Sequence, residues 1–328
     1  MILNKMIWSN LWMLLIGLPL LCFSQEISNS KLSTTGISFK KDTSFTIHSA
    51  YLKTLKTHPE AKIIKNPSPT NILVIKDQTY FLSKLNKLYY NAYLPPIETQ
   101  DINNYTPAII IIHGGGWRSG NKEQHESLAH LLAKEGFACF TIDYTLSTHA
   151  LYPTAYFDVL NAIGHIKKNA QKYNIDPQKL TLLGYSAGGA LASLVATKSN
   201  TVHGLINIDG VLAFIHPDSG EGDDTKSISA ATHWFGINKN EGSEIWKDAS
   251  ALTHVHNFNS PTLFINSGVK RMQAGQMEFI ENLISRQIYI VKKEFPNAPH
   301  TFALFNPWLS EIVETCVSFL NQIFPKNS

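Results

Sequence analysis

A buried-strand pattern that ends in a glycine-flanked serine constrains this 328-residue chain more than any other feature. The aliphatic run 180–183 is followed directly by Gly-Tyr-Ser-Ala-Gly at 184–188, and a helix-like segment rich in small residues comes next. This is the form of a nucleophile elbow, a sharp strand-to-helix turn that presents a serine hydroxyl above a sheet. Glycines flank the serine because side chains there would collide as the chain turns. Ser186 is therefore the candidate nucleophile.

A second glycine-rich segment lies earlier in the chain, where another aliphatic run ends in His-Gly-Gly-Gly-Trp at 113–117. Successive glycines let backbone N–H groups approach a substrate oxygen and stabilise the negative charge that develops on it. Gly115 and Gly116 are the expected donors from this loop. Ala187, the residue after the serine, is the expected third donor. His113 is expected to anchor the loop and not to act as a base.

Strand-like and helix-like patterns alternate from residue 71 onward. Several strand-like runs are solidly aliphatic, as expected for parallel strands that are buried on both faces. The alternation predicts an α/β fold with a mostly parallel eight-stranded sheet and helices on both faces. The predicted strands are 72–75, 88–94, 108–112, 138–142, 180–183, 204–208, 262–265 and 288–292. The predicted helices are 122–134, 156–173, 187–197, 276–283 and 308–324.

Residues 211–260 interrupt the alternation after the sixth predicted strand. A segment of that length is usually an insertion over a site and not a structureless loop. We expect it to form a lid or a wall of the substrate site. The aromatic residues Trp117, Trp234, Phe235 and Trp246 are candidates for stacking on sugar rings or, equally, for packing in the core.

The general base must be a histidine that reaches the serine hydroxyl. His300 follows the last predicted strand and precedes the C-terminal helix, and the chain order serine, acid, histidine requires it to come last. The acid usually follows strand seven, but no carboxylate occurs there before Glu278. Asp209, directly after strand six, is the preferred acid, and its alternative role is to cap a turn. The other candidates are Glu221, Asp223, Asp224 and Glu278, and a dyad assisted by a backbone carbonyl also stays open.

Charge and composition argue against several other functions. The net charge of +3 comes from scattered lysines, with only three arginines, so no concentrated basic patch indicates nucleic acid. His254 and His256 form one His-x-His pair without a further ligand set, so no metal site is predicted. Nucleophilic catalysis by serine needs no cofactor.

Residues 1–24 have the pattern of a secretory signal. Lys5 precedes the apolar stretch 11–23, and the small residue Ser24 follows it. We expect cleavage after Ser24 and a secreted or periplasmic protein. The stretch is too short to favour a retained membrane span. Lipidation at Cys22 is disfavoured by the bulky leucines before it.

The remainder divides into a polar leader, 25–70, and a catalytic domain, 71–328. The mature chain then keeps Cys139 in a strand-like segment and Cys316 in a helix-like one. Two buried free thiols are favoured over a disulfide, although an exported protein could form one.

Taken together, these motifs resemble the α/β-hydrolase superfamily, and most closely its hormone-sensitive-lipase-like esterases and secreted carbohydrate esterases of the feruloyl and acetyl xylan type. The segments that carry the resemblance are 113–117, Asp143-Tyr144, Tyr152-Pro153, Asp158-Val159, Ile175-Asp176-Pro177 and 184–189. The resemblance covers about residues 70–325 and implies a carboxylester hydrolase that uses Ser186, an acid and His300. The missing carboxylate after strand seven departs from the family pattern and leaves the acid open.

The function that we expect is a secreted serine esterase that removes acetyl or feruloyl groups from polysaccharides or oligosaccharides. Export fits a polymeric substrate that is too large to import. The alternatives are a small-molecule lipolytic esterase, an amidase, and an inactive homologue that only binds glycans.

Overall fold

The structure is a computed structural model that describes residue 42 and residues 45–64, 71–83, 86–96 and 105–325. The predicted signal sequence, with Cys22 and Ser24, lies outside the described residues, and so does much of the predicted leader. No helix within these described ranges is long and apolar enough to cross a membrane.

The described part of the chain contains eight strands and eight α-helices, which alternate from the third strand onward except for two consecutive helices after the sixth strand. The strands are β1 (Leu73–Leu82), β2 (Lys87–Leu94), β3 (Thr106–Ile112), β4 (Ala138–Ile142), β5 (Ile175–Tyr185), β6 (Gly204–Ile208), β7 (Thr262–Ser267) and β8 (Ile290–Phe295). The helices are α1 (Ile47–Leu55), α2 (Glu126–Lys134), α3 (Thr154–Lys168), α4 (Ala187–Ser199), α5 (Ala230–Phe235), α6 (Ser243–Asp248), α7 (Gln276–Ser285) and α8 (Trp308–Ile323).

The eight strands form one sheet in the order β1-β2-β4-β3-β5-β6-β7-β8. Strand β2 is antiparallel to both of its neighbours, and all other adjacent pairs are parallel. The prediction of a mostly parallel eight-stranded sheet is confirmed. Parallel strands end at the same edge of a sheet, which is where open α/β folds bind their ligands. The residues that follow β3, β5, β6 and β7 are therefore brought together.

Helices cover both faces of the sheet because its central strands are apolar on both sides. In β3, Ile110 and Ile112 belong to the core cluster that contains α3 and α4. Their neighbours Ile109 and Ile111 belong to the cluster that contains α2 and α8. Successive side chains of a strand point to opposite faces. An uninterrupted aliphatic run is thus what a strand between two helical layers requires.

Several element boundaries differ from the sequence prediction. The segment 175–177, which lies between a predicted helix and a predicted strand, is the start of β5. The helix predicted over 156–173 ends at Lys168, and Asn174 then turns the chain with a φ of 52°. Asparagine visits this left-handed region more readily than other side chains, so the turn can occur there. The start of the predicted helix 122–134 is a 3-10 turn over 122–125.

Two segments around the sheet acquire regular structure of their own. Helix α1 forms within the segment predicted as a leader, and Thr46 and Ser49 cap its first turn reciprocally through two bonds of 2.9 Å. The insertion 211–260 contains α5, α6 and a 3-10 helix over 251–257. Both segments contact the carboxyl edge of the sheet, as described below.

Candidate active site

Ser186 sits in a strained turn between β5 and α4. Its φ of 56° and ψ of −122° lie outside the regions that non-glycine residues normally adopt. A Cβ atom on Gly184 would lie 2.1 Å from the carbonyl oxygen of Gly188, and one on Gly188 would lie 2.2 Å from that of Ile112. The strand and helix can approach so closely only because glycine flanks the serine on both sides. The turn therefore has the geometry of a nucleophile elbow.

The imidazole of His300 links Ser186 to Asp209. The Oγ of Ser186 lies 2.9 Å from Nε2 of His300 and is oriented to donate its hydrogen. On the other side of the ring, Nδ1–H donates to Oδ2 of Asp209, also at 2.9 Å. This tautomer follows from the partners, since a carboxylate can only accept and the serine hydroxyl can donate. The three side chains form a continuous hydrogen-bonded series.

Two further contacts hold His300 in this position. Its backbone carbonyl accepts a hydrogen bond of 2.7 Å from the hydroxyl of Tyr185, the residue before Ser186. The two aromatic rings also stack, with centroids 5.4 Å apart. Tyr185, which belongs to the elbow, therefore joins the elbow directly to the loop that carries His300.

The carboxylate of Asp209 is completely buried and is surrounded by donors. The Ser267 backbone N–H donates to Oδ1 at 2.7 Å, and the Ser267 hydroxyl donates to Oδ2 at 2.5 Å. With His300, three donors face the carboxylate. Burial of a charge is costly unless hydrogen bonds replace the lost water, and these bonds do so. The sequence analysis did not single out Ser267, although its position at the end of β7, where an acid was expected, was a usable signal.

The other acid candidates face elsewhere. Glu221 accepts from the backbone of Ala231 and pairs with Arg271. The side chain of Asp224 accepts bonds within the insertion, Asp223 bonds to Thr225, and Glu278 pairs with His216. Among the described residues, Asp209 is the acid that contacts His300. The structure therefore brings together the preferred acid, and not its alternatives, with the histidine.

The glycine loop after β3 lies beside Ser186 in the same cleft. Gly115 has a φ of 115°, and a Cβ there would lie 2.3 Å from the carbonyl oxygen of Ser119, so only glycine fits. No backbone acceptor among the described residues takes the N–H of Gly115 or Gly116. Ala187 opens α4, where the first N–H groups of a helix have no partner within it. These three N–H groups are available to an anion.

His113 holds this loop in place through two contacts of its ring. Its Nδ1 donates to the carbonyl oxygen of Gly114 at 2.7 Å, and its ring stacks on Tyr144 with centroids 4.3 Å apart. Burial lowers the pKa of His113 to about 4, which keeps the ring neutral. In the described contacts it does not reach Ser186, which agrees with an anchoring role.

The cleft has a volume of about 1000 Å³. The insertion contributes one of its walls through Val211, Glu221, Ile228 and Ala230. Of the two roles left open for the four aromatic candidates, the structure supports packing in the core over stacking on sugar rings. Trp234, Phe235 and Trp246 are buried in the core, and Trp117, which borders the cleft, is 3% exposed and stacks on Trp234. Their flat faces are covered by other side chains, so they pack the core and do not bind sugar rings.

Cysteines and histidines outside the site form no further chemical centre in the described residues. Cys139 and Cys316 are free and buried, as predicted, and burial raises the pKa of the Cys316 thiol to about 12. His254 bonds to a backbone carbonyl of Asp248, whereas His256 faces Asn282. Within the described ranges, no cluster of three or more His, Cys, Asp or Glu side chains could hold a metal ion.

The fold and this geometry define a protein of the α/β-hydrolase fold with a serine, a histidine and an aspartate in hydrogen-bond contact. The chain belongs to the BD-FAE family, whose profile matches residues 91–273, more than half of its length. The resemblance to this superfamily that the motifs indicated is confirmed.

Similar proteins extend this comparison. The chain is 28% identical to LipM, a probable carboxylic ester hydrolase of Mycobacterium tuberculosis, over 62% of this chain and 51% of that protein. It is 27% identical to the carboxylesterase NlhH of the same species over 53% of this chain and 51% of that protein. The chain thus spans about half the length of these relatives. A solved truncated form of a carbohydrate esterase from gut microbiota matches with a TM-score of 0.62 and 19% identity, over 78% of this chain and 100% of that one. This last likeness shows the fold.

Proposed function

We propose that this protein is a secreted serine carboxylester hydrolase that removes acetyl or feruloyl groups from polysaccharides or oligosaccharides. The observation that carries the proposal is the hydrogen-bonded series from Asp209 through His300 to Ser186, beside three backbone N–H groups that have no backbone acceptor among the described residues. A nucleophile, a base, an orienting acid and an oxyanion site are the parts that acyl transfer requires.

In the first half of the reaction, the Oγ of Ser186 attacks the ester carbonyl while Nε2 of His300 takes its proton. The N–H groups of Gly115, Gly116 and Ala187 stabilise the oxyanion of the tetrahedral intermediate. The intermediate collapses, the alcohol oxygen leaves with the proton from His300, and the acyl group stays on Ser186. The buried carboxylate of Asp209 stabilises the imidazolium that forms between these steps.

In the second half, His300 removes a proton from water, and the resulting attack on the acyl-enzyme releases the acid. Ser186 then recovers its proton from the imidazole.

Three observations support a glycan as the alcohol part of the ester. The cleft of about 1000 Å³ is at the upper end of the sizes that hold small molecules, so it can accommodate several sugar rings. A carbohydrate esterase has the same fold, and the named relatives are carboxylic ester hydrolases. The predicted secretory signal would bring the enzyme to polymers outside the cell.

The test measures hydrolysis of p-nitrophenyl acetate, together with acetate and ferulate release from acetylated xylan and a panel of natural polysaccharides. Wild type should turn over, and Ser186→Ala should not. Ser199→Ala, at the far end of the same helix, is the matched control and should retain activity. Equal background release by wild type and Ser186→Ala would refute the esterase. Release from p-nitrophenyl acetate without release from any glycan would instead favour a small-molecule esterase.

A further inference from the structure

Helix α1 forms a wall of the cleft, although it lies outside the part of the chain that matches the BD-FAE profile. The helix and the turn that follows it supply a group of cleft-lining residues, which are Ser49, Ala50, Lys53, Thr54, Lys56 and Thr57. This wall carries none of the three hydrogen-bonded groups Ser186, His300 and Asp209, so it can influence the choice of substrate without supplying the chemistry.

Contacts with the histidine loop hold α1 against the sheet. Thr54 Oγ1 lies 2.6 Å from Thr301 Oγ1, directly after His300. The ring of Tyr51 packs on Phe305 with centroids 5.5 Å apart. Further along the chain after the helix, the backbones of Lys62 and Asn306 exchange two hydrogen bonds of 2.9 and 3.0 Å. These contacts hold α1 beside the catalytic histidine, so the side chains that line the cleft extend from a helix that is fixed in place.

The charge on this wall is unbalanced. Four cationic side chains among the described residues line the cleft, and carboxylates in the same cleft pair with two of them, Arg118 with Asp42 and Arg271 with Glu221. The other two are Lys53, on α1, and Lys56, which directly follows the last residue of the helix. Neither of these lysines is within 4 Å of a carboxylate among the described residues. They leave a net positive charge that faces the substrate.

We propose that Lys53 and Lys56 bind a carboxylate of the substrate, so that the ester cleaved at Ser186 is carried by an oligosaccharide containing uronic acid. This inference rests on the proposed function. Acetyl and feruloyl groups bring no charge near the ester, so an anion in the cleft must belong to the sugar chain. A uronic acid carboxylate is the anion that a sugar carries without further modification. Two ammonium groups at the cleft attract a substrate of opposite charge and raise its local concentration.

The experiment compares acetylated oligogalacturonides with carboxyl-reduced oligosaccharides that are acetylated to the same degree. Wild type should show the higher kcat/KM on the carboxylated substrate, through KM, and 0.5 M NaCl should remove the difference, since salt screens exposed charges. In Lys53→Gln/Lys56→Gln, kcat/KM on the carboxylated substrate should fall by about three- to tenfold, the size expected of two solvent-screened ion pairs. The reduced substrate should be cleaved as before.

Lys168→Gln/Lys172→Gln makes the same charge change on the exposed end of α3 and the turn after it, away from the cleft, and should leave both substrates unchanged. A wild type that cleaves both substrates equally, or a Lys53/Lys56 variant that keeps the preference, would overturn the proposal while the esterase function stands. No hydrolysis of either substrate, or of p-nitrophenyl acetate, would mean that the proposed function itself has failed.

Discussion

The hydroxyl of Ser267 donates a hydrogen bond of 2.5 Å to the same oxygen of Asp209 that accepts from His300. Ser267 ends β7, where the acid of this superfamily usually follows, and Asp209 comes directly after β6. The two strands are paired in register up to Ile208 and Ile265, so their ends are adjacent. The acid is therefore carried by one strand and held in place by its neighbour.

The first prediction concerns the role of Asp209. Asp209→Asn keeps the shape and the left-handed φ of 51°, which asparagine tolerates, but removes the charge that stabilises the imidazolium. We expect kcat on p-nitrophenyl acetate to fall by about 10³- to 10⁴-fold with an unchanged melting profile. Glu221→Gln and Asp224→Asn are the matched controls and should keep most of the activity. Unchanged turnover in Asp209→Asn would assign the acid elsewhere.

The second prediction is that the acid can be moved to β7. Asp209→Gly removes the carboxylate and suits the positive φ, and Ser267→Asp then extends a carboxylate from the position that now contacts Oδ2. The double variant should recover at least about tenfold in kcat over Asp209→Gly alone, because His300 regains an acceptor at Nδ1. Equal kcat values for these two variants would show that position 267 cannot present an acid to the imidazole.

The third prediction tests the glycine loop. In Gly115→Ala the new methyl group would meet the carbonyl oxygen of Ser119, which displaces the loop N–H groups. We expect kcat to fall by about 10²-fold or more, the cost of a lost oxyanion donor. Gly136→Ala is the control, since Gly136 also has a positive φ, of 97°, but open space around it. It should lower the melting temperature and leave kcat intact. Equal kcat losses in both variants would mean that backbone strain alone explains the effect.

The fourth prediction is a loss of stability in mild acid. Burial lowers the pKa of His113 to about 4 and, aided by the nearby His113, that of His125 to about 3. Both values lie below the ordinary histidine value of about 6.5, so the unfolded chain binds more protons than the folded one. The two neutral histidines therefore cost no stability above about pH 6.5. As the pH falls from there through their pKa values in the folded protein, the free energy of unfolding decreases, by on the order of 2 kcal/mol per histidine at pH 5.

The measurement is the melting temperature between pH 7 and pH 4. His125→Gln cannot be protonated, so its melting temperature should fall less steeply than that of wild type. His48→Gln changes an exposed histidine on α1 and should follow the wild-type slope. Parallel slopes for wild type and His125→Gln would contradict a buried neutral His125.

The local sequence pattern correctly located the strands that are buried on both faces of the sheet. Strands β4 and β6 lie at the residues that their mainly apolar runs predicted, because strands buried on both faces favour apolar side chains along most of their length. Helix α1 and the start of β5 were missed for the opposite reason. Segment 175–177 carries an aspartate and a proline, and α1 has a mixed face. Such segments take their structure from pairing and packing partners that are distant in sequence.

The sequence alone determined the features that depend on steric and polar requirements within a few residues. These features are the strained serine turn, the glycine loop and the alternation of strands and helices. Tertiary structure decided which of five carboxylates meets His300, because that depends on the register of β6 against β7. It also decided that Trp117, Trp234 and Trp246 pack inwards and that α1 and the residue after it bring two lysines to the cleft. These outcomes depend on distances between segments far apart in the chain, and no local pattern encodes them.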